Sequence, residues 1–153
     1  MLQIGDHAPD FSIPDADMEM FKLSRLRGKT VVLYFYPKDD TPGCTVEAIE
    51  FTDLDDEFAK ANTVVIGVSR DDCLTHAGFR DKHGLSVQLL ADVDGKVCEK
   101  YGVWQEKEKD GLRKMCILRS TFIIDDEGKI AHSQYGVSAK GHAHEILNLV
   151  KSL

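Results

Sequence analysis

The run TVVLYFY at 30–36 is apolar, aromatic or β-branched at every position and is stopped by Pro37. A strand with one face in water alternates apolar and polar residues, whereas a strand without that alternation is covered on both faces. Covering both faces takes a layer on each side of the sheet, so this run points to a three-layer α/β arrangement. TVVIGVS at 63–69 has the same character, and VQLLA at 87–91 is a shorter version. The segments between them have helical spacing. One runs from Cys44 or Thr45 to Ala61, with Phe51, Leu54, Phe58 and Ala61 on one face, and another from about Asp72 to His83.

The rest of the pattern fits around these strands. Asp10 to Lys22 alternates loosely and carries Pro14 and a DAD turn, which predicts a short amino-terminal β-hairpin. A short helix is expected near Lys96 to Tyr101, and the charged stretch Gln105 to Lys114 is expected to form an exposed turn. STFIID at 120–125 and KIAHSQY at 129–135, separated by Asp126-Glu127-Gly128, predict a second hairpin. A last helix from about Lys140 to Leu153 places Ile146, Leu149, Val150 and Leu153 on one face. The expected architecture is one domain over 1–153, of α/β class, three-layered around a central mixed sheet with an amino-terminal β-hairpin. A chain of 153 residues buries roughly 68–70% of the surface its unfolded state exposes, so its core needs no disulfide or metal to hold it.

Acidic residues outnumber basic ones 26 to 19, for a net charge of −7. The basic residues are scattered, so neither nucleic acid nor an anionic membrane surface is an expected partner. No stretch approaches the roughly 18 apolar residues of a membrane span. The start, MLQIGDHAPDF, lacks the basic and apolar regions of an export signal, so a cytoplasmic location is expected. The four cysteines, Cys44, Cys73, Cys98 and Cys116, contain no C-x-x-C or C-x-x-H spacing, which argues against a zinc site and a thioredoxin-type dithiol. In a reducing compartment the question becomes which thiol reacts and which thiols pack. Cys98 and Cys116 lie beside apolar neighbours and are expected to pack. His142 and His144 of GHAHE are two apart and do not share a helix face, so they are expected to be solvated at a helix start. No metal or cofactor is expected.

The chemistry concentrates in FYPKDDTPGCTVE at 35–47. A buried strand ends, a Pro- and Gly-rich turn follows, and a cysteine opens a helix. A helix amino terminus supplies unpaired N–H donors and roughly half a positive charge. Both favour thiolate over thiol, so Cys44 is expected to be nucleophilic at neutral pH. Gly43 has no side chain to block a small substrate from the backbone N–H groups. In open α/β sheets, sites form where strands end and helices begin.

This segment resembles the P-x-x-x-T-x-x-C motif of the peroxiredoxins, with Pro37, Thr41 and Cys44 in its three fixed positions, and in full it looks like the bacterioferritin-comigratory, or Q, branch. The similarity extends to GDHAPDF, LRGKTVVLYFYP, VIGVSRD, GVW at 102–104 and RSTFIIDDEGKI at 119–130. The resemblance implies a thioredoxin-like fold and reduction of hydrogen peroxide and organic hydroperoxides, with recycling by thioredoxin or another thiol. It implies that Cys44 is the peroxidatic cysteine, oxidised first to a sulfenic acid. It also implies that the Thr41 hydroxyl bonds thiolate and peroxide, that Pro37 shields the pocket from water, and that Arg119 holds the thiolate and the peroxide oxygens. Glu47, one helical turn after Cys44, is a candidate to orient Arg119. Relatives of this branch are often monomers, which is the expected state here.

The chain departs from the pattern in its second cysteine. Relatives place a resolving cysteine five residues after the peroxidatic one, here Ile49, or in the next helix near the position of Arg80. Cys73 opens that same next helix and is the resolving candidate. It follows strand 63–69 as Cys44 follows strand 30–36, so parallel neighbouring strands would put both cysteines at one sheet edge. A one-cysteine enzyme, with an external thiol attacking the sulfenic acid, is the rival. Two other classes stay open: a thiol-disulfide oxidoreductase of the thioredoxin fold, disfavoured because Thr41 stands where a C-x-x-C motif needs cysteine, and a binding or chaperone module without chemistry.

Overall fold

A computed structural model describes residues 1–153. The chain opens with an antiparallel hairpin, β1 (Ser12–Pro14) and β2 (Met20–Lys22). After it come β3 (Thr30–Phe35), α1 (Pro42–Asp53), α2 (Asp55–Lys60), β4 (Thr63–Ser69), α3 (Cys73–His83), β5 (Gln88–Ala91) and α4 (Lys96–Lys100). The carboxyl half holds β6 (Trp104–Lys109), β7 (Leu112–Ile117), β8 (Ser120–Ile124), β9 (Ile130–Tyr135) and α5 (His142–Lys151). The central sheet has the order β5-β4-β3-β8-β9, with β3 parallel to β4 and antiparallel to β8. The mixed sheet, the hairpin and the strand 63–69 agree with the sequence.

Strand β3 lies in the middle of this sheet, and its alternation divides two cores. Val31, Leu33 and Phe35 face a cluster with Phe11, Phe21, Tyr101 and Phe122, covered by the amino-terminal hairpin and α4. Val32 and Tyr34 face the other way, toward Phe51, Phe58, Phe79 and Ile146 of α1, α2, α3 and α5. These are the two outer layers that the uninterrupted apolar run requires. Tyr34 stands opposite Gly67 on β4, where a Cβ would lie 2.7 Å from the tyrosine ring, so the ring takes the space of the missing side chain.

Three expectations are corrected. The helix read as 44–61 begins two residues earlier, with Pro42 in its first turn, and is interrupted at Leu54. Proline suits a first helical turn because its missing N–H has no intrahelical partner there. Asp55, Asp56 and Glu57 suit the positive amino end of the new helix α2. The segment read as an exposed turn, Gln105 to Lys114, lies almost wholly within the β6–β7 arm. Asp110 and Gly111 both have positive φ, 54° and 77°, as a two-residue hairpin turn demands. His142 is not solvated: it is 2% exposed, and its Nε2 lies 2.8 Å from Thr121 Oγ1.

Candidate active site

The turn between β3 and α1 is anchored from behind. Tyr36 donates its hydroxyl to Asp39 Oδ1 at 2.6 Å, and the other oxygen of Asp39 lies 2.6 Å from His76 Nδ1 on α3. His76 Nε2 lies 2.9 Å from Leu90 O, a pure acceptor, so Nε2 carries a proton. The backbone N–H of Asp39 donates to Asp71 Oδ2 at 2.8 Å, and the same oxygen accepts from Ser69 Oγ at 2.6 Å. The next residue, Asp40, has φ 59° and places its carboxylate between Lys82 Nζ and His83 Nε2, at 2.7 and 2.9 Å. Those two partners hold the Asp40 carboxyl below its ordinary range. The turn between β3 and α1 is thus pinned to β4, α3 and β5 together. Asp39, Asp71 and His76 bring three possible metal ligands within 4.8 Å of one another. The 2.6 Å contact between Asp39 and His76 is a hydrogen bond with a proton between the two atoms, so this pair satisfies itself without an ion.

Thr41 is the amino cap of α1, in extended backbone conformation, and its hydroxyl donates to Lys38 O at 2.8 Å. Cys44 is the third residue of the helix and is 2% exposed. Arg119 reaches it from the segment between β7 and β8. Its Nη2 donates to Cys44 Sγ at 3.3 Å and its Nη1 to Glu47 Oε1 at 2.7 Å. Gly136 and Val137 each donate a backbone N–H to Arg119 O at 2.9 Å, fixing the base of the side chain. A Cβ on Gly43 would lie 3.2 Å from Arg119 Nη2, so the glycine leaves the guanidinium its space.

Glu47 is fully buried and its Oε2 has no hydrogen-bond partner. Burial pushes its carboxyl up to about 7, against the opposing pull of Arg119. Burial also works against the charge on Arg119, but Glu47 and Cys44 outweigh it and hold the guanidinium more firmly charged. The Glu47 side chain is 0% exposed and that of Arg119 16%.

Cys44, Thr41, Glu47 and Arg119 therefore surround the start of α1, with Pro37 exposed at the mouth. Pro37 and Arg119 line a cavity of about 440 Å³ shared with Leu118 and Val137. Cys73 is the first residue of α3 and is half-buried. Strands β3 and β4 are parallel neighbours, so the turns carrying Cys44 and Cys73 leave the same sheet edge and are joined by the Asp39–Asp71 bond. All four cysteines are free thiols. Cys98 is fully buried as expected, and burial raises its thiol far above the ordinary range. Cys116 is only half-buried and lines cavities on both sides of Pro37. Nothing in the sequence alone singles out Tyr36, Asp39 and His76. Tyr36 and Asp39 lie inside the quoted motif, but a lone histidine in a helix gives no sign of its partners.

This is the constellation of a thiol enzyme: a buried cysteine in the first turn of a helix, held by an arginine that a buried carboxylate fixes in place. Comparison with known proteins defines it further. The AhpC/TSA family matches residues 4–133. A putative peroxiredoxin bcp of Coxiella burnetii is 44% identical over 146 residues, covering 95% of this chain and 97% of its own. Peroxiredoxin Bcp of Bacillus subtilis is 43% identical over 152 residues, covering 99% and 97%. The structure of the Xanthomonas campestris bacterioferritin comigratory protein, studied for its alkyl peroxide reduction activity, superposes with a TM-score of 0.91 at 34% identity, covering 99% and 97% of the two chains. The chain belongs to the AhpC/TSA family and, within it, to the peroxiredoxins of the bacterioferritin-comigratory, or Q, type. It has the thioredoxin-like fold of that group and is a thiol-dependent peroxidase.

Proposed function

We propose that Cys44 is the peroxidatic nucleophile of this enzyme and that hydrogen peroxide and organic hydroperoxides are its substrates. The observation that carries this reading is the 3.3 Å contact from Arg119 Nη2 to Cys44 Sγ, made in the first turn of α1. The thiolate attacks the terminal peroxide oxygen. A sulfur–oxygen bond forms, the O–O bond breaks, and the electron pair leaves on the distal oxygen, which takes a proton to become water or an alcohol. Cys44 is left as a sulfenic acid. Negative charge moves from sulfur toward the leaving oxygen, so a guanidinium already fixed beside the sulfur stabilises the transition state without reorganising. Thr41 already gives its hydroxyl proton to Lys38 O, which leaves the oxygen's lone pairs to accept the peroxide O–H. Pro37 and the cavity beside Arg119 form the approach, where the alkyl part of an organic hydroperoxide fits.

Cys73 is the resolving thiol in this reading. It displaces water from the Cys44 sulfenic acid to give a disulfide, which thioredoxin or another thiol reduces. Support comes from the parallel β3–β4 pair and from the Asp39–Asp71 bond between the two turns. Cys44 is buried, so the first turn of α1 must unwind for the sulfurs to meet within the roughly 7 Å Cα separation that a disulfide allows. A monomer working in the cytoplasm completes the proposal; no helix here is long and apolar enough to cross a membrane. Mass mapping without reductant, after one equivalent of peroxide, tests the scheme. A Cys44–Cys73 disulfide within one chain is expected. An oxidised Cys44 with Cys73 still free assigns the one-cysteine route, and an unmodified Cys44 refutes the assignment.

A further inference from the structure

Four cations lie near the turn between β3 and α1 without a carboxylate partner. Lys38, Arg70, Lys107 and Lys114 have no carboxylate within 4.0 Å, although the chain has 26 acidic residues against 19 basic ones. Lys38, Arg70 and Lys114 line one groove of about 430 Å³, and no carboxylate lines it. Lys107 stands directly opposite Lys114 across the β6–β7 arm, a like-charge cross-strand pair that costs stability. Apolar surface lies among these charges. Val93 is 57% exposed and Met115 43% exposed, and Trp104 lies under the Arg70 guanidinium at 4.4 Å. An apolar centre lined by three cations and no carboxylate is the composition of a docking surface for a partner of the opposite sign.

The position of the groove indicates which partner. Lys38 belongs to the turn that leads into Cys44, and Arg70 to the turn that leads into Cys73. We infer that this groove receives the thiol reductant, and that the reductant is an acidic dithiol protein. The unpaired positive charge continues onto the arm through Lys107, beyond the cavity itself, which favours a protein surface over a small thiol. The inference rests on the reading of Cys44 and Cys73 as the redox-active pair. One thiolate of the docked reductant attacks a sulfur of the Cys44–Cys73 disulfide, and the other enzyme sulfur leaves as a thiolate. The reductant's second thiol then displaces the enzyme from the mixed disulfide. Two enzyme thiols and one reductant disulfide result, so electrons balance.

Lys114→Glu, and separately Met115→Asp, test the surface, since both residues are exposed. Turnover is measured with thioredoxin, with glutathione and with uncharged dithiothreitol, and the peroxide step by stopped flow on pre-reduced enzyme. With thioredoxin, kcat/KM is expected to fall roughly tenfold for Lys114→Glu at low salt. The difference from wild type should shrink at about 0.5 M salt, where exposed charges are screened. Met115→Asp should lower the same parameter, while the dithiothreitol rate and the peroxide step stay unchanged. Wild-type kcat/KM and salt dependence with thioredoxin in both variants would overturn the inference. A loss confined to glutathione would also overturn it, assigning the groove to small anionic thiols. Wild type that works with dithiothreitol but not with thioredoxin overturns the docking claim and leaves the Cys44 chemistry standing. Absence of peroxide consumption with every reductant fails the underlying reading instead.

Discussion

Glu47 Oε1 lies 2.7 Å from Arg119 Nη1, an ion pair whose carboxylate side is completely buried. The carboxyl is pushed from its ordinary 4.5 up to about 7 by that burial. The folded protein therefore binds this proton more tightly than the unfolded chain does. The stability this brings is complete below about 4.5 and is lost as pH rises through about 7, and it amounts to at most about 3 kcal/mol. Glu47→Gln is expected to flatten the decline in stability across that window, as read by urea unfolding at several pH values. It should also slow sulfenic acid formation at pH 8 roughly ten- to a hundredfold, because Arg119 loses the group that aims it. A stability profile and a peroxide rate identical to wild type would show that Glu47 does neither.

Arg119→Ala is expected to slow the reaction of Cys44 with peroxide by roughly two orders of magnitude or more, the usual loss for one transition-state donor. Arg119→Lys should recover only part of it, because an ammonium lacks the rigid planar fork whose two nitrogens reach Cys44 and Glu47. Stopped-flow rates in which either variant matches wild type contradict the role.

The buried pair of His76 and Asp39 should matter to the stability of the whole domain. His76→Ala leaves Asp39 Oδ2 and Leu90 O without their partner, while Tyr36 still bonds Oδ1. Breaking such a pair costs about 3–5 kcal/mol. The expected result is a lower urea midpoint with an unchanged slope, together with a slower peroxide step as the turn carrying Thr41 loosens. An unfolding free energy within about 0.5 kcal/mol of wild type, the range of ordinary surface substitutions, would mean that the turn is held by other contacts.

Much of this arrangement was legible in the chain, and the parts that were not share a cause. Residues 30–36 and 63–69 announce themselves because burial on both faces leaves an uninterrupted apolar run. The β6–β7 arm hides because charges occupy both of its faces, so that only Asp110-Gly111 marks its turn. The break at Leu54 hides because Phe51 and Phe58 keep helical spacing across it. His142 looks like a surface residue because its partner, Thr121, is 21 positions away. The same holds for His76, whose contacts with Asp39 and Leu90 span 37 and 14 positions. Arg119 could be placed only by resemblance, since nothing in its local sequence points 75 residues back to Cys44.

Cys73→Ser should separate the two halves of the cycle. Its first reaction with peroxide is expected to proceed at the wild-type rate, since Cys73 and Cys44 are not bonded to each other in the reduced fold. The sulfenic acid should then accumulate and pass to sulfinic acid sooner, and turnover with thioredoxin should be lost. Unimpaired turnover with thioredoxin would assign resolution to another thiol.

The most direct test of the account is stopped-flow peroxide consumption by Cys44→Ser beside wild type. A serine hydroxyl is not ionised at neutral pH and cannot take the place of the thiolate. The expected result is no consumption above the protein-free background, while Cys73, Cys98 and Cys116 remain intact. Consumption near the wild-type rate would mean that another residue attacks the peroxide, and the assignment of the active site to the start of α1 would be wrong.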